Sequence, residues 1–186
     1  MNIFITGIVI FIAIHLLPSV PPLRNQLVNR LGLWPYKGLF AIMAFTGLIL
    51  IINGMSSAEK TLVWNSPSWS DSLALIIMPV SFILIVAAYL PSNIKRLTPH
   101  PMLWGVSIWA VVHILSNSDL NSLILSGAIG VYALFDIVSA NIRGAKVSEN
   151  ALSPAKDIIV IAVGLVLYLL VLVFHKSISG VAILNL

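Results

Sequence analysis

Six long apolar runs, separated by short polar stretches, set the pattern of the chain. They cover residues of about 2–18, 38–54, 71–90, 102–116, 120–141 and 157–175. A helix that crosses a bilayer needs about 20 mostly apolar residues, and these runs reach or approach that length. The pattern therefore predicts an all-α, polytopic membrane helical bundle with six transmembrane helices, forming a single domain over 1–186.

The composition agrees with this prediction and excludes several other classes. Of the 186 residues, 59% are hydrophobic and 9% are charged, whereas an ordinary soluble domain carries roughly 25% charged residues. The chain has no cysteine, which excludes disulfides, thiolate ligation of haem and iron–sulfur clusters. Any metal would have to be held by nitrogen, oxygen or methionine sulfur.

The basic residues follow the topology of the predicted bundle. Eight of them fall in alternate connections: Arg24, Arg30, Lys37, Lys95, Arg96, Arg143, Lys146 and Lys156. The opposite side has only Lys60 and Lys176. Because cytoplasmic loops of membrane proteins are enriched in Lys and Arg, both termini are predicted on the outer, periplasmic side. The net charge of +4 is thus explained without a nucleic-acid partner.

Many of the candidate functional side chains lie in one segment, TPHPMLWGVSIWAVVHILSNSD (98–119). Pro101 suits the first turn of a helix, and His113 falls near its other end, inside the predicted span. Trp109 lies four residues before His113 and so shares its face. An imidazole in hydrocarbon needs a partner, because an unsatisfied polar group there costs a few kcal/mol. A metal, a carboxylate or a backbone carbonyl would each serve.

His15 and His100 are further candidates for binding a ligand inside the membrane. His15 lies about two thirds of the way along the first span, at a depth that tilt and packing could match to that of His113. Alternatively, His15 bonds to the helix end near Pro18. His100 is about 140° from His113 around one helix axis, so the two cannot bind one ligand at the same depth.

Charged groups near the inner side allow a structural and a functional interpretation. Arg24, in the amphipathic segment PPLRNQLVNRL (21–31), would face lipid headgroups or carboxylates such as haem propionates. Trp34 and Tyr36 are typical of interface aromatics. Asp136 would pair with Arg143 or a basic loop residue; in the functional alternative it orients His100.

The stretch HPMLWGVSIWAVVH (100–113) resembles the signature of the NnrU family, which is similar to the 15-cis-zeta-carotene isomerases of plants and cyanobacteria. There too, HP-x-x-x-G is followed at this spacing by W-x-x-x-H. The resemblance implies a haem b held by His15 and His113 as axial ligands, with His100 as an alternative ligand. Trp109 and Arg24 would then lie beside the cofactor.

The same resemblance implies a role in denitrification and nitric oxide metabolism. The chain would be a multi-pass protein of the bacterial inner membrane, with lipid, haem and either nitric oxide or a small hydrophobic substrate as partners. Whether it is an enzyme stays open; a haem-dependent isomerase and a redox protein are both compatible.

Two other functions remain as alternatives. The HP-x-x-x-G element also resembles the R-H-P-x-Y-x-G stretch of membrane methyltransferases that use S-adenosylmethionine. However, Thr98 and Pro99 stand at the arginine position, and Glu149 is alone where that family has a pair of glutamates. The other alternative is a membrane assembly factor without catalytic activity.

Overall fold

The structure is a computed structural model, and it describes residues 1–180 and Ile183. The described chain is helical, with seven α-helices: α1 (Asn2–Leu16), α2 (Pro21–Leu31), α3 (Leu33–Ser57), α4 (Ser70–Tyr89), α5 (Pro101–Ser116), α6 (Leu120–Ile142) and α7 (Pro154–Ser179). Short 3₁₀ turns cover Leu17–Ser19 and Asn93–Arg96. Five of the helices are long and apolar enough to cross a membrane, and α5 is a shorter apolar helix.

These six apolar helices confirm the predicted polytopic membrane bundle, with altered ends. The second predicted run, 38–54, lies within a longer helix that begins at Leu33. The last run, 157–175, likewise extends to Pro154–Ser179. Along the spans many apolar side chains are exposed, including Ile76 at 70% and Val131 at 69%. Such surfaces suit hydrocarbon, since lipid tails are as apolar as these side chains.

The chain divides into two compact units, Met1–Thr61 and Leu62–Leu186. In the first unit α1 packs along α3, and α2 contacts α3. A Cβ atom added at Gly47 would lie 2.9 Å from the backbone nitrogen of Phe11. Glycine therefore permits this close approach of the two helices, as small residues do in membrane interfaces.

In the second unit α4 packs against both α5 and α7, and α5 packs against α6. The α4–α5 contact is again close, because a Cβ atom on Gly105 would lie 2.7 Å from the carbonyl oxygen of Ser81. The Ser81 hydroxyl, which is fully buried, donates to the Gly105 carbonyl at 2.7 Å. An interhelical bond of this kind satisfies a polar group that has no access to water.

Loops that the sequence places on one side of the membrane meet in the second unit. On the predicted outer side, the Trp64 indole donates to the carbonyl of Asn117 at 2.8 Å. On the predicted inner side, the backbone nitrogen of Ser148 donates to the carbonyl of Lys95 at 2.9 Å. These pairings agree with the alternation of loops inferred from hydrophobicity and charge, while the orientation towards the cytoplasm stays a prediction.

Candidate functional site

His113 occupies the last turn of α5 and bonds to its own helix. Its Nδ1–H donates to the carbonyl of Trp109 at 2.8 Å. The imidazole and indole rings lie 4.3 Å apart between centroids, with 31° between their planes. The expectation that an intramembrane imidazole has a partner is thus met by a backbone carbonyl at one of its two nitrogens. The other nitrogen, Nε2, has no hydrogen-bond partner among the described residues.

His15, in the last turn of α1, repeats this arrangement in the other unit. Its Nδ1–H donates to the carbonyl of Phe11 at 2.7 Å, and the two rings lie 4.2 Å apart with 31° between their planes. Phe40 of α3 adds an edge-on contact with a centroid distance of 5.2 Å. The bond to Phe11 places one nitrogen of His15 on its own helix.

In both histidines the carbonyl fixes the tautomer of the ring. A carbonyl oxygen only accepts hydrogen bonds, so Nδ1 carries the proton, and a neutral imidazole then has its lone pair on Nε2. Histidines that bind metals commonly hold the opposite nitrogen in this way, with its N–H donated to a carbonyl. In a neutral His113, the lone pair that could bind a ligand is therefore on Nε2.

His100 is held differently. It is the N-cap residue of α5, and its Nε2–H donates to the side-chain oxygen of Asn141 on α6 at 2.8 Å. The nitrogen that remains is Nδ1, which is closer to the backbone. His100 is consequently less suited than His113 to reach an iron atom through Nε2.

Asp136 forms an ion pair with Arg143, as the structural alternative predicted. Its Oδ1 lies 3.2 Å from Nη2 of Arg143, seven residues further along α6 and therefore on nearly the same face. Asn141, five residues from Asp136, points about 140° away. The partner that orients His100 is thus Asn141, a residue that sequence reasoning missed, because an asparagine near a helix end carries no periodic signal.

Arg24 and Tyr36 form a second polar group in the first unit. The Arg24 guanidinium lies 5.8 Å from the centre of the Tyr36 ring, within reach of a cation–π interaction. Trp34 is 78% exposed, as expected of an interface aromatic, but Tyr36 is only 6% exposed. Its hydroxyl has no hydrogen-bond partner within residues 1–180 and 183. Burial of Tyr36 was not foreseen, since its sequence neighbours are those of an interface segment.

No cluster of three or more His, Cys, Asp or Glu side chains that could hold a bare metal ion occurs in the described residues. A haem iron does not need such a cluster, because the porphyrin supplies four nitrogens and the protein one or two axial ligands.

The family model for the NnrU protein matches residues 3–183. The chain belongs to the NnrU family. The match extends over both compact units of this NnrU-family protein and covers nearly its whole length. No curated protein matches the chain, and no solved structure does so either.

Proposed function

We propose that this NnrU-family protein binds haem b in the bacterial inner membrane, and that His15 and His113 would hold the iron. The observation that carries the proposal is the hydrogen bond from Nδ1–H of His113 to the Trp109 carbonyl, at 2.8 Å. It leaves the lone pair on the nitrogen that axial histidines use. His15 donates from Nδ1–H to the Phe11 carbonyl in the same way, at 2.7 Å.

Aromatic side chains lie beside both imidazole rings. Phe11 stacks on His15, and Trp109 stacks on His113, so each ring is restrained by an aromatic neighbour as well as by its hydrogen bond. Arg24, whose guanidinium is stacked over Tyr36, would pair with a propionate through its planar fork of donors. The apolar helices would exclude water and so influence the reduction potential.

When bound, the haem would supply one-electron redox chemistry or binding of a diatomic gas at iron. The protein's own residues would hold the haem, fix the imidazole tautomers through the carbonyl bonds and keep water out. We place this activity in the handling of nitric oxide during denitrification, the process linked to NnrU proteins. A small hydrophobic substrate for a haem-dependent isomerisation is the other use of the same site.

The absorption spectrum of the purified protein tests this function directly. The protein is produced with haem supplied, purified in detergent, and measured oxidised and reduced. We expect a Soret band that is strongly reduced in His113→Ala and in His15→Ala, because each loses an iron ligand. His175→Ala is the control for removal of an imidazole that is not a proposed ligand, since His175 lies near the C-terminal end of α7 and bonds to Ser179.

Two results would contradict the proposal. One is the absence of any Soret band in the wild-type protein; the other is a band that persists in both variants but is lost in His100→Ala. In the first case, calorimetric titration with S-adenosylmethionine separates a methyltransferase-like protein from an assembly factor without bound cofactor.

A further inference from the structure

An open cavity of about 670 Å³ lies among the loops that carry the basic residues of the second unit. Its walls come from the 3₁₀ turn Asn93–Arg96, the connection after α6 and the first turn of α7. Apolar and charged side chains are mixed in the lining, among them Ile94, Arg96, Leu97, Val147, Glu149 and Asp157. None of these residues belongs to the proposed haem site.

Hydrogen bonds hold the walls of this cavity in place. The side chain of Asn93 donates to the carbonyl of Leu152 and accepts from its backbone nitrogen, each at 2.9 Å. Ser148 is tied to Lys95 through the backbone at 2.9 Å. The connection between α6 and α7, which has no regular secondary structure, is thereby fastened to the turn after α4. The cavity is thus formed before any ligand arrives.

The charges in the lining are of two kinds. Asp157 is already satisfied, because its carboxylate accepts from the backbone nitrogen of Asn93 at 2.7 Å and from its side-chain nitrogen at 2.6 Å. Arg96 and Glu149, in contrast, make no hydrogen bond or ion pair within the described part of the chain. The Arg96 guanidinium and the Glu149 carboxylate are therefore available to a ligand, whereas the Asp157 carboxylate is held in place by its hydrogen bonds.

The cavity follows the last turn of α4, at the predicted inner end of that membrane span. Tyr89, the last residue of α4, is 74% exposed, as is usual for tyrosines at the headgroup level. Leu97 is 84% exposed and Val147 is 43% exposed, although both line the cavity. A water-soluble ligand would leave these apolar side chains exposed to water, whereas the glycerol and first methylenes of a lipid would cover them.

We propose that this cavity binds a phospholipid with a phosphoethanolamine headgroup. The phosphate would pair with the Arg96 guanidinium, which matches it with two parallel donors, and the ammonium would pair with the Glu149 carboxylate. An anionic headgroup such as phosphatidylglycerol is disfavoured, since the lining carries two carboxylates and one guanidinium. The proposal is independent of the haem proposal, because the two use different residues.

Native mass spectrometry of the full-length protein tests the lipid preference. The protein is delipidated in detergent and offered phosphatidylethanolamine, phosphatidylglycerol and phosphatidylcholine with identical acyl chains. We expect phosphatidylethanolamine to bind most tightly, and we expect Arg96→Gln and Glu149→Gln each to weaken that binding by about tenfold, the effect of losing one charge-assisted bond. Both side chains are exposed, so neither change should prevent folding.

Two lysine variants in the same loops serve as controls. Lys95→Gln removes the same charge as Arg96→Gln from the adjacent position, and Lys146→Gln changes the charge of the connection that carries Glu149; neither lysine lines the cavity. They should leave the binding of phosphatidylethanolamine unchanged.

Several outcomes would overturn the proposal. Tighter binding of phosphatidylglycerol, insensitive to Glu149→Gln, would mean an unspecific basic surface. Equal loss of binding in the lysine controls would mean the same. Saturable binding of free phosphoethanolamine or of S-adenosylmethionine, with no preference among the lipids, would assign the cavity to a water-soluble ligand.

Discussion

The surroundings of His15 and His113 share one local arrangement but are stabilised by different forces. Each ring donates from Nδ1 to the carbonyl four residues earlier and stacks on the aromatic side chain there. Around His15, apolar packing contributes, from Phe40 and from the close contact of Gly47 with Phe11. The same imidazole geometry therefore does not require the same environment.

Around His113 the support comes from hydrogen bonds between loops. The side chain of Asn117 donates to the carbonyl of His113 at 2.8 Å, and the carbonyl of Asn117 accepts from Trp64. Ser66 and Ser118 are joined through their hydroxyls at 2.9 Å. Changes in helix packing should therefore disturb His15 selectively, whereas loss of a hydrogen bond between the loops should disturb His113 selectively.

The largest effect is expected from Gly47→Ala. The new methyl group would lie 2.9–3.0 Å from the backbone of Phe11, so α1 and α3 must move apart at a cost of about 1–3 kcal/mol. Unfolding in sodium dodecyl sulfate measures the loss of stability. The ring resonances of His15 should shift in the NMR spectrum while those of His113 stay in place.

Gly38→Ala is the control for this change. Gly38 is on the same helix, but a Cβ atom there meets nothing within 4 Å. Since alanine favours helix over glycine, Gly38→Ala should be neutral or stabilise by roughly 0.5–1 kcal/mol. Equal effects of the two substitutions would show that close packing does not support His15.

A smaller effect, restricted to the other region, is expected from Trp64→Phe. The variant loses the 2.8 Å bond to the Asn117 carbonyl, which should reduce the free energy of unfolding by about 1 kcal/mol. Now the resonances of His113 should move and those of His15 should not. In the control Trp69→Phe, the side chain is 54% exposed and no such bond is lost, so stability should hardly change. A shift confined to His15 would refute the assignment of polar support to His113.

The smallest effect is expected from Phe40→Leu. The leucine keeps most of the apolar contact but removes the edge-on interaction with His15, which is worth roughly 0.5 kcal/mol. The melting temperature and the His15 resonances report the change. Phe45→Leu is the control on the same helix, because Phe45 is 64% exposed. If Phe45→Leu proves the more harmful of the two, the aromatic contact contributes nothing specific.

Features that depend on neighbours along one helix were predictable. The pairing of Trp109 with His113 follows from a separation of four residues, and the ion pair between Asp136 and Arg143 follows from a separation of seven. The apolar runs likewise gave the spans, since hydrocarbon admits only segments whose backbone polar groups are satisfied internally. The bonds from His15 and His113 to their own helices were one of several open possibilities.

Features that join distant parts of the chain were not predictable. His100 and Asn141 are 41 residues apart, and Asn93 and Asp157 are 64 residues apart. Each pair forms only where two separate elements come together in the fold. Polar residues without a periodic pattern do not predict that placement. The sequence by itself thus determined the membrane helices, the pairing of Trp109 with His113 and that of Asp136 with Arg143, because these are fixed within a few turns of one helix. Only the tertiary structure decided that Asn141 holds His100, that Tyr36 is buried and that a charged cavity opens between the loops, because those depend on packing between elements.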